Sequence, residues 1–471
     1  MARHRQRAVL GEDASAAMAH SRAAVEALAA GDLPVYGVST GFGSLATRPI
    51  APDRRRQLQR ALIWSHASGM GPPVEDEVVR AMALLRAHTL ATGRTGARPE
   101  VAEALLRLLD DGPLPEVPEH GSLGCSGDLA PLAHLGLALL DAGLVLEAKE
   151  GLALVNGTDG MLGMLVLACH DLRRLLRTAD VAAAMSVEAL LGTDRAFAAD
   201  LLALRPHPGQ QDSGANLRRL LAGSTIVASH RTGDPRVQDA YSLRCSPQVH
   251  GAARDTLVFA EEVADRELAS AIDNPVVLAD GRVESAGNFH GAPLAYACDF
   301  CAIVAADVGS MSERRTDRLL DASRSHGLPP FLADDPGVDS GLMIAQYTAA
   351  ALVAECKRLA APASVDSIPT SAMQEDHVSM GWAAARKLRT VLADLGRILA
   401  VELTAAARGL DLRAPLVPAP ATAAVVAALR VAGVGGPGPD RPLAPDLAAA
   451  EALVRSGAAL AAAEGQVGEL A

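Results

Sequence analysis

Aromatic residues make up only 3% of this 471-residue chain, with two Trp, four Tyr and six Phe. Hydrophobic residues still reach 49%, so Ala and Leu must fill most of the core, which favours packed helices over sheets. Basic clusters are missing as well: the net charge is −12 and both signs are interspersed. That argues against a nucleic-acid surface, which needs clustered Lys and Arg, and fits an enzyme kept dispersed by self-repulsion. Six cysteines, at 125, 169, 245, 298, 301 and 356, are too few and too scattered for a disulfide framework. Cys298 and Cys301 have a CxxC spacing without a second pair, so reduced buried thiols are expected and no metal site. No apolar signal-peptide core follows Met1-Ala2-Arg3-His4-Arg5-Gln6-Arg7. The longest uncharged stretch, 414–429, is interrupted by Pro415, Pro418 and Pro420 and makes a poor membrane span. The expected location is a reducing cytoplasm, with neither membrane nor nucleic acid as partner.

What is present is mostly helical pattern. Apolar periodicity predicts helices over 14–31, 53–68, 74–92 and 99–110, separated by Gly or Pro. Residues 33–39 read as a short extended stretch and 144–155 as short strands. From Asn156 onward the patterns lengthen, over 158–178, 180–203 and 248–271. Residues 276–285 carry an Asp280-Gly281 hairpin signal. Residues 292–325 and 376–410 each read as one long helix, and such lengths point to a bundle. The expectation is a mostly α fold with a long central helical bundle. A smaller, loop-rich N-terminal domain spans 1–155, and the long-helix body with the C-terminal helices spans 156–471.

The N-terminal part holds the run Gly121-Ser122-Leu123-Gly124-Cys125-Ser126-Gly127-Asp128. A Gly amide nitrogen is sterically unshielded and can approach the carbonyl two residues back. The Ser between them carries a hydroxyl that can leave as water. Cyclisation and dehydration of Cys125-Ser126-Gly127 would yield an electrophilic methylidene-imidazolone with no external cofactor. A hydrolase elbow would require Gly-x-Ser-x-Gly, and Gly127 directly follows Ser126, so that reading fails. Cys125 as a thiol nucleophile would need a positioned His, with His120 and His134 near in sequence.

Other polar residues are scattered along the chain. Tyr36 abuts the Gly-rich turn Thr40-Gly41-Phe42-Gly43, where a phenol can act as a general base; a core Tyr is the plainer reading. The same turn as a dinucleotide fingerprint would want an acidic residue some 20 positions on, and 54–71 holds none. His66, in Leu62-Ile63-Trp64-Ser65-His66, reads by itself as a core histidine. Asn156 reads by itself as a helix cap. Gln238, Tyr241 and Arg244 recur at three-residue intervals and would share a face if the stretch were continuously helical; the Arg fork suits a substrate carboxylate. Phe289 follows the hairpin. Glu375, Asp376 and His377 lack the i, i+4 second ligand that a helical metal site needs.

Taken together, the loop at 121–134, Tyr36-Gly37-Val38-Ser39-Thr40-Gly41-Phe42-Gly43, Asn156-Gly157-Thr158, the run 238–248 and the run 364–381 resemble the aromatic amino-acid ammonia-lyases. Cys125 stands where that family usually has Ala, outside the ring that would form. The resemblance implies a homotetramer with sites built from several chains. It implies a catalytic set of Tyr36 as base, the loop residues Cys125, Ser126 and Gly127, Tyr241 and Glu375. It implies a substrate set of His66, Asn156, Gln238, Arg244 and Phe289. A carboxylate at 375 points to members acting on L-histidine, because an imidazole can donate to it. Two rivals stand beside this: a family member acting on tyrosine, which Glu375 disfavours, and an inactive helical scaffold in which Cys125 blocks cyclisation.

Overall fold

The computed structural model describes residues 1–31, 34–110 and 113–471. Helix accounts for 61% and strand for 4%, as the Ala- and Leu-rich, aromatic-poor composition requires. The strand content includes two short antiparallel ribbons. Met70–Pro73 pairs with Pro118–His120, and Val276–Val277 pairs with Val283–Glu284 across the Asp280-Gly281 turn. No disulfide forms among the described residues.

The chain divides into two compact units built from interleaved segments. The first comprises Met1–Leu167, Glu261–Asp299 and Pro362–Arg386; the second comprises Ala168–Ala260, Phe300–Ala361 and Lys387–Ala471. The expected division near residue 155 follows a different criterion, helix length: the first helix of 31 residues, Asp159–Ala189, starts just beyond it.

In the first unit, the helix Glu12–Ala30 stops at Gly31, whose N–H bonds the Leu28 carbonyl. Helix Arg55–His66 buries Leu62 and Ile63 and packs against Leu129–Asp141 and Glu150–Val155. Gly136 lets Ile63 approach so closely that a Cβ there would press on its Cδ1. Truncating the fully buried Ile63 to Ala would cost about 2–5 kcal/mol in lost burial and cavity. Helix Asp76–Ala91 opens with Asp76 and Glu77, which favour the positive end of the helix dipole.

In the second unit, buried carboxylates tie segments of the long helices together. Glu402, on Gly381–Asp411, is fully buried. It accepts from Ser186 Oγ at 2.6 Å, Ser312 Oγ at 2.6 Å and the Arg315 guanidinium at 2.5 and 2.8 Å. Those partners lie on Asp159–Ala189 and Ala292–Leu320. Asp180 accepts likewise from Ser213, Asn216, His250 and Arg254. A buried charge persists only when its lone pairs are satisfied in this way.

Three expectations need correction. Residues 144–155 are not strands: Glu150–Val155 is a helix. A short apolar run such as Leu152 to Val155 has no period that separates the two states. The helix predicted over 180–203 is not separate, because Asp159–Ala189 runs through Asp180. The extended stretch 33–39 fails where it can be checked: residues 36–39 form a turn that leads to a bridge between Thr40 and Pro49. Leu33 itself lies outside the described residues. Two segments, Glu150–Ala189 and Ala292–Leu320, are long and apolar enough to cross a membrane, yet 94% and 61% of their most apolar windows are buried inside the protein, as in core helices.

Candidate active site

The Cys125-Ser126-Gly127 loop joins the strand Pro118–His120 to the helix Leu129–Asp141. Its shape is fixed by neighbours on both sides. Gly127 has φ +78°, and a Cβ there would overlap the carbonyl of Gly157; only Gly meets both demands. The next N–H, of Asp128, donates to that same carbonyl at 2.7 Å. The Asp128 carboxylate accepts from Ser122 Oγ and from the Met161 N–H, each at 2.8 Å. Burial pushes its pKa up to about 7 despite these bonds. On the opposite side, the Met380 N–H donates to the Leu123 carbonyl at 2.8 Å and Ser379 Oγ to the Gly124 carbonyl at 3.2 Å.

The residues present fit a self-formed ring. Gly127 N, the nucleophile that cyclisation needs, donates to no acceptor among the described residues. Ser126 Oγ donates to Asn156 Oδ1, so the hydroxyl that must leave is held in one direction. Asn156 is itself fixed: its Nδ2 donates to the Asn274 carbonyl at 2.7 Å and its backbone carbonyl accepts from Arg86 at 3.0 Å.

Next to the loop lies a cluster of side chains. The Cys125 thiol is pushed up to about 11, chiefly by burial, with the neighbouring charge of Glu375 adding to it. His66, the last residue of its helix, is pulled below the ordinary imidazole value by burial, against an opposing contribution from Glu375. Its Nδ1 lies 3.0 Å from Ser65 Oγ. The Tyr36 hydroxyl oxygen accepts from the Gly43 N–H at 3.2 Å, and Gly43 lies against Ser371 and Glu375. Thus Tyr36, His66, Cys125 and Glu375 are neighbours although 339 positions separate the first from the last.

Glu375 is aimed by a tight turn. Thr370 and Glu375 form an isolated antiparallel bridge, and Thr370 Oγ1 also donates to Glu375 Oε2 at 3.1 Å. Between them Ser371, Ala372 and Met373 take φ of 50°, 51° and 70°. Left-handed backbone costs about 1–2 kcal/mol per non-glycine residue, and strain of this kind persists only where the surroundings hold it. Phe289 is half-buried in the loop before Ala292–Leu320. Two residues on, Gly291 packs against Met161 and Ser379, and Ser379 is also the residue that holds Gly124.

Gln238, Tyr241 and Arg244 belong to the second unit. They do not share one helix face, because the helix there is only Tyr241–Arg244 and Gln238 lies in the exposed segment before it. Tyr241 is 70% exposed. The Arg244 guanidinium stacks over its ring at 4.5 Å and donates from Nε to the Asp239 carbonyl at 2.9 Å. Its two terminal nitrogens donate to no acceptor among the described residues, which leaves the fork open for a carboxylate.

The sequence reading missed Thr370, Ser379, Lys149 and Asp273, and attached no function to Asp159, which pairs with buried Arg86 at 3.3 Å. Thr370 and Ser379 lie inside the quoted run 364–381, where a hydroxyl near Glu375 was the available signal. Lys149 and Asp273 stand 124 positions apart, and nothing local links them.

Comparison with known proteins agrees with this geometry. Residues 1–145 and 141–431 match the aromatic amino acid lyase family. The chain is 61% identical to a histidine ammonia-lyase of Streptomyces coelicolor, over 100% of this chain and 96% of that protein. It is similar to the solved tyrosine aminomutase of Streptomyces globisporus, with TM-score 0.93 and 35% identity over 100% of this chain and 97% of that one. It is also similar to the solved histidine ammonia-lyase of Trypanosoma cruzi, with TM-score 0.87 and 38% identity over 97% and 90% of the two chains. With its loop, its helical architecture and its full-length relatives in agreement, the chain belongs to the aromatic amino acid lyase family.

Proposed function

We propose that this chain is a histidine ammonia-lyase, converting L-histidine to trans-urocanate and ammonia as the first step of histidine degradation. The observation that carries the reading is the Glu375 carboxylate beside Cys125 and His66. An imidazole donates N–H groups and can carry positive charge, so it satisfies that carboxylate. A phenyl ring would leave it desolvated without a donor, at a cost of about 1–3 kcal/mol. The 61% identity to a protein of that name supports the same substrate.

A methylidene-imidazolone formed from Cys125, Ser126 and Gly127 supplies the electron-poor centre that makes an unactivated amino acid reactive. The chain's own side chains do the rest. Tyr36, its hydroxyl oriented by the Gly43 N–H, serves as the base for the β-carbon proton. Glu375 and His66 recognise the imidazole, with His66 kept neutral by burial. Asn156 holds position 126, and Phe289 lines the same region. Arg244, with its free fork, clamps the carboxylate, and Gln238 and Tyr241 position substrate and ring. Fixed orientation of this kind accounts for a large share of a rate enhancement.

The location we assign is the cytoplasm, consistent with six cysteines that form no disulfide. The assembly we assign is a homotetramer. In its favour, Phe259, Phe300 and Ile303 stand 42–47% exposed on long helices, an apolar face that another copy would cover. Absorbance assays for urocanate from L-histidine and coumarate from L-tyrosine test the function. Urocanate alone is expected. Predominant coumarate or a β-amino acid would assign the chain to tyrosine, and no turnover at all would make it a scaffold.

A further inference from the structure

Behind the loop lies an ion pair that the reaction itself does not use. Lys149 Nζ donates to Asp273 Oδ2 at 2.5 Å, and both side chains are 0% exposed. Lys149 is one of three lysines among 43 Lys and Arg residues. A chain that uses arginine almost everywhere has kept a compact ammonium here, where a planar guanidinium is not equivalent. The backbone at Lys149 is left-handed, with φ +74°, an uncommon state for a residue with a side chain. Stability is a weak reason for the pair, because replacing a buried ion pair by apolar groups of similar volume is often neutral or stabilising.

The pair bears on Asn156. Asp273 Oδ1 accepts from the Asn274 N–H at 2.7 Å and lies 3.4 Å from Asn156 Nδ2. Asn156 Nδ2 therefore faces two acceptors, this carboxylate and the Asn274 carbonyl at 2.7 Å. If the carboxamide flipped, its oxygen would meet two groups with no proton to give. Only the observed rotation satisfies both ends, and it turns Oδ1 toward Ser126 Oγ. That logic holds while Asp273 stays ionised. A buried carboxyl with no cation beside it takes up a proton and becomes a donor, which removes one of the two acceptors that oppose the flip and leaves only the Asn274 carbonyl.

We propose that Lys149 and Asp273 are positioning residues for maturation of the loop: the ion pair locks the Asn156 carboxamide, which holds the Ser126 hydroxyl while the ring closes. The chemistry is internal and redox-neutral. Gly127 N bonds to the Cys125 carbonyl carbon, and that carbonyl oxygen departs as water with the amide protons of Gly127 and Ser126. The Cα proton and the hydroxyl of Ser126 then leave as a second water, giving the exocyclic double bond. The inference rests on the proposed ring.

Intact mass of the purified full-length chain tests it. The parent is expected to weigh two waters less than its sequence; a parent at full mass would overturn the functional reading itself. Lys149→Met leaves Asp273 uncompensated, so the double variant Lys149→Met/Asp273→Asn, which buries no net or paired charge, is made beside it. Both are expected to fold, by circular dichroism and thermal melting, and to shed the waters about tenfold more slowly after synthesis, the rate equivalent of one well-placed hydrogen bond. A folded double variant that matures at the parent's rate overturns the proposal. So does a double variant that cannot fold, since the pair would then be a structural element.

Discussion

Thr370 Oγ1 donates to Glu375 Oε2 across 3.1 Å, over a turn in which Ser371, Ala372 and Met373 are all left-handed. The hydroxyl fixes where the carboxylate points. Thr370→Val keeps the shape and removes the donor. Steady-state urocanate assays are expected to give a KM for L-histidine about tenfold higher, matching ~1.4 kcal/mol for one bond to a charged group, with kcat changed less. An unchanged KM would show that the turn alone aims Glu375.

Glu375→Gln tests recognition of the imidazole. The amide keeps the size but loses the charge and one acceptor. The kcat/KM for L-histidine should fall about 100-fold, as when a site loses a charged partner for a substrate N–H. Activity toward L-phenylalanine, measured as cinnamate, should fall less or rise. An equal loss on both substrates would remove Glu375 from specificity.

Cys125 should be a quiet thiol. With its pKa pushed up to about 11, about one molecule in a thousand is thiolate at pH 8. Iodoacetamide at that pH should therefore leave Cys125 unlabelled while an accessible control thiol is consumed, as read by peptide mass mapping. Cys125→Ala removes only a side chain outside the ring, and the variant should retain the mass deficit of two waters. Rapid alkylation, or a full-mass Cys125→Ala chain, would contradict this.

Asp128 makes stability depend on pH. Its folded pKa of about 7 lies above the ordinary carboxyl value of 3.8, so the folded state holds the proton more tightly than the unfolded one. Its contribution is most favourable below pH 4 and is lost as pH rises toward 7, by about 4 kcal/mol at most. Asp128→Asn abolishes that titration. The thermal midpoint of the variant relative to the parent should rise steadily from pH 4 to 7 and level off above it. A constant difference across that range would refute the assignment.

Legibility in the sequence followed the distance between interacting residues. The Cys125-Ser126-Gly127 run could be singled out because its residues are contiguous. The long helices could be read because their period repeats over many turns, and Val276–Glu284 because Asp280-Gly281 marks a hairpin. Glu150–Val155 reads as strand in the sequence, although it is a helix, because six residues carry too little period. Gln238 would share a face with Arg244 only on one continuous helix, and the helix starts only at Tyr241. The convergence of Tyr36 and Glu375, and the pairing of Lys149 with Asp273, depend on packing between segments far apart in the chain. The interleaving of the two units was hidden for a related reason: helices such as Asp159–Ala189 and Gly381–Asp411 supply residues to both.

The account stands on the main chain at residue 126 becoming an electrophile. Mass spectrometry of the active parent, beside Ser126→Ala, measures this directly. The parent should lack two waters, with the deficit confined to the peptide spanning 125–127, and should release urocanate; Ser126→Ala should fold and release essentially none. A fully active parent at its unmodified mass, or a Ser126→Ala chain that turns over histidine at the parent's rate, would contradict it.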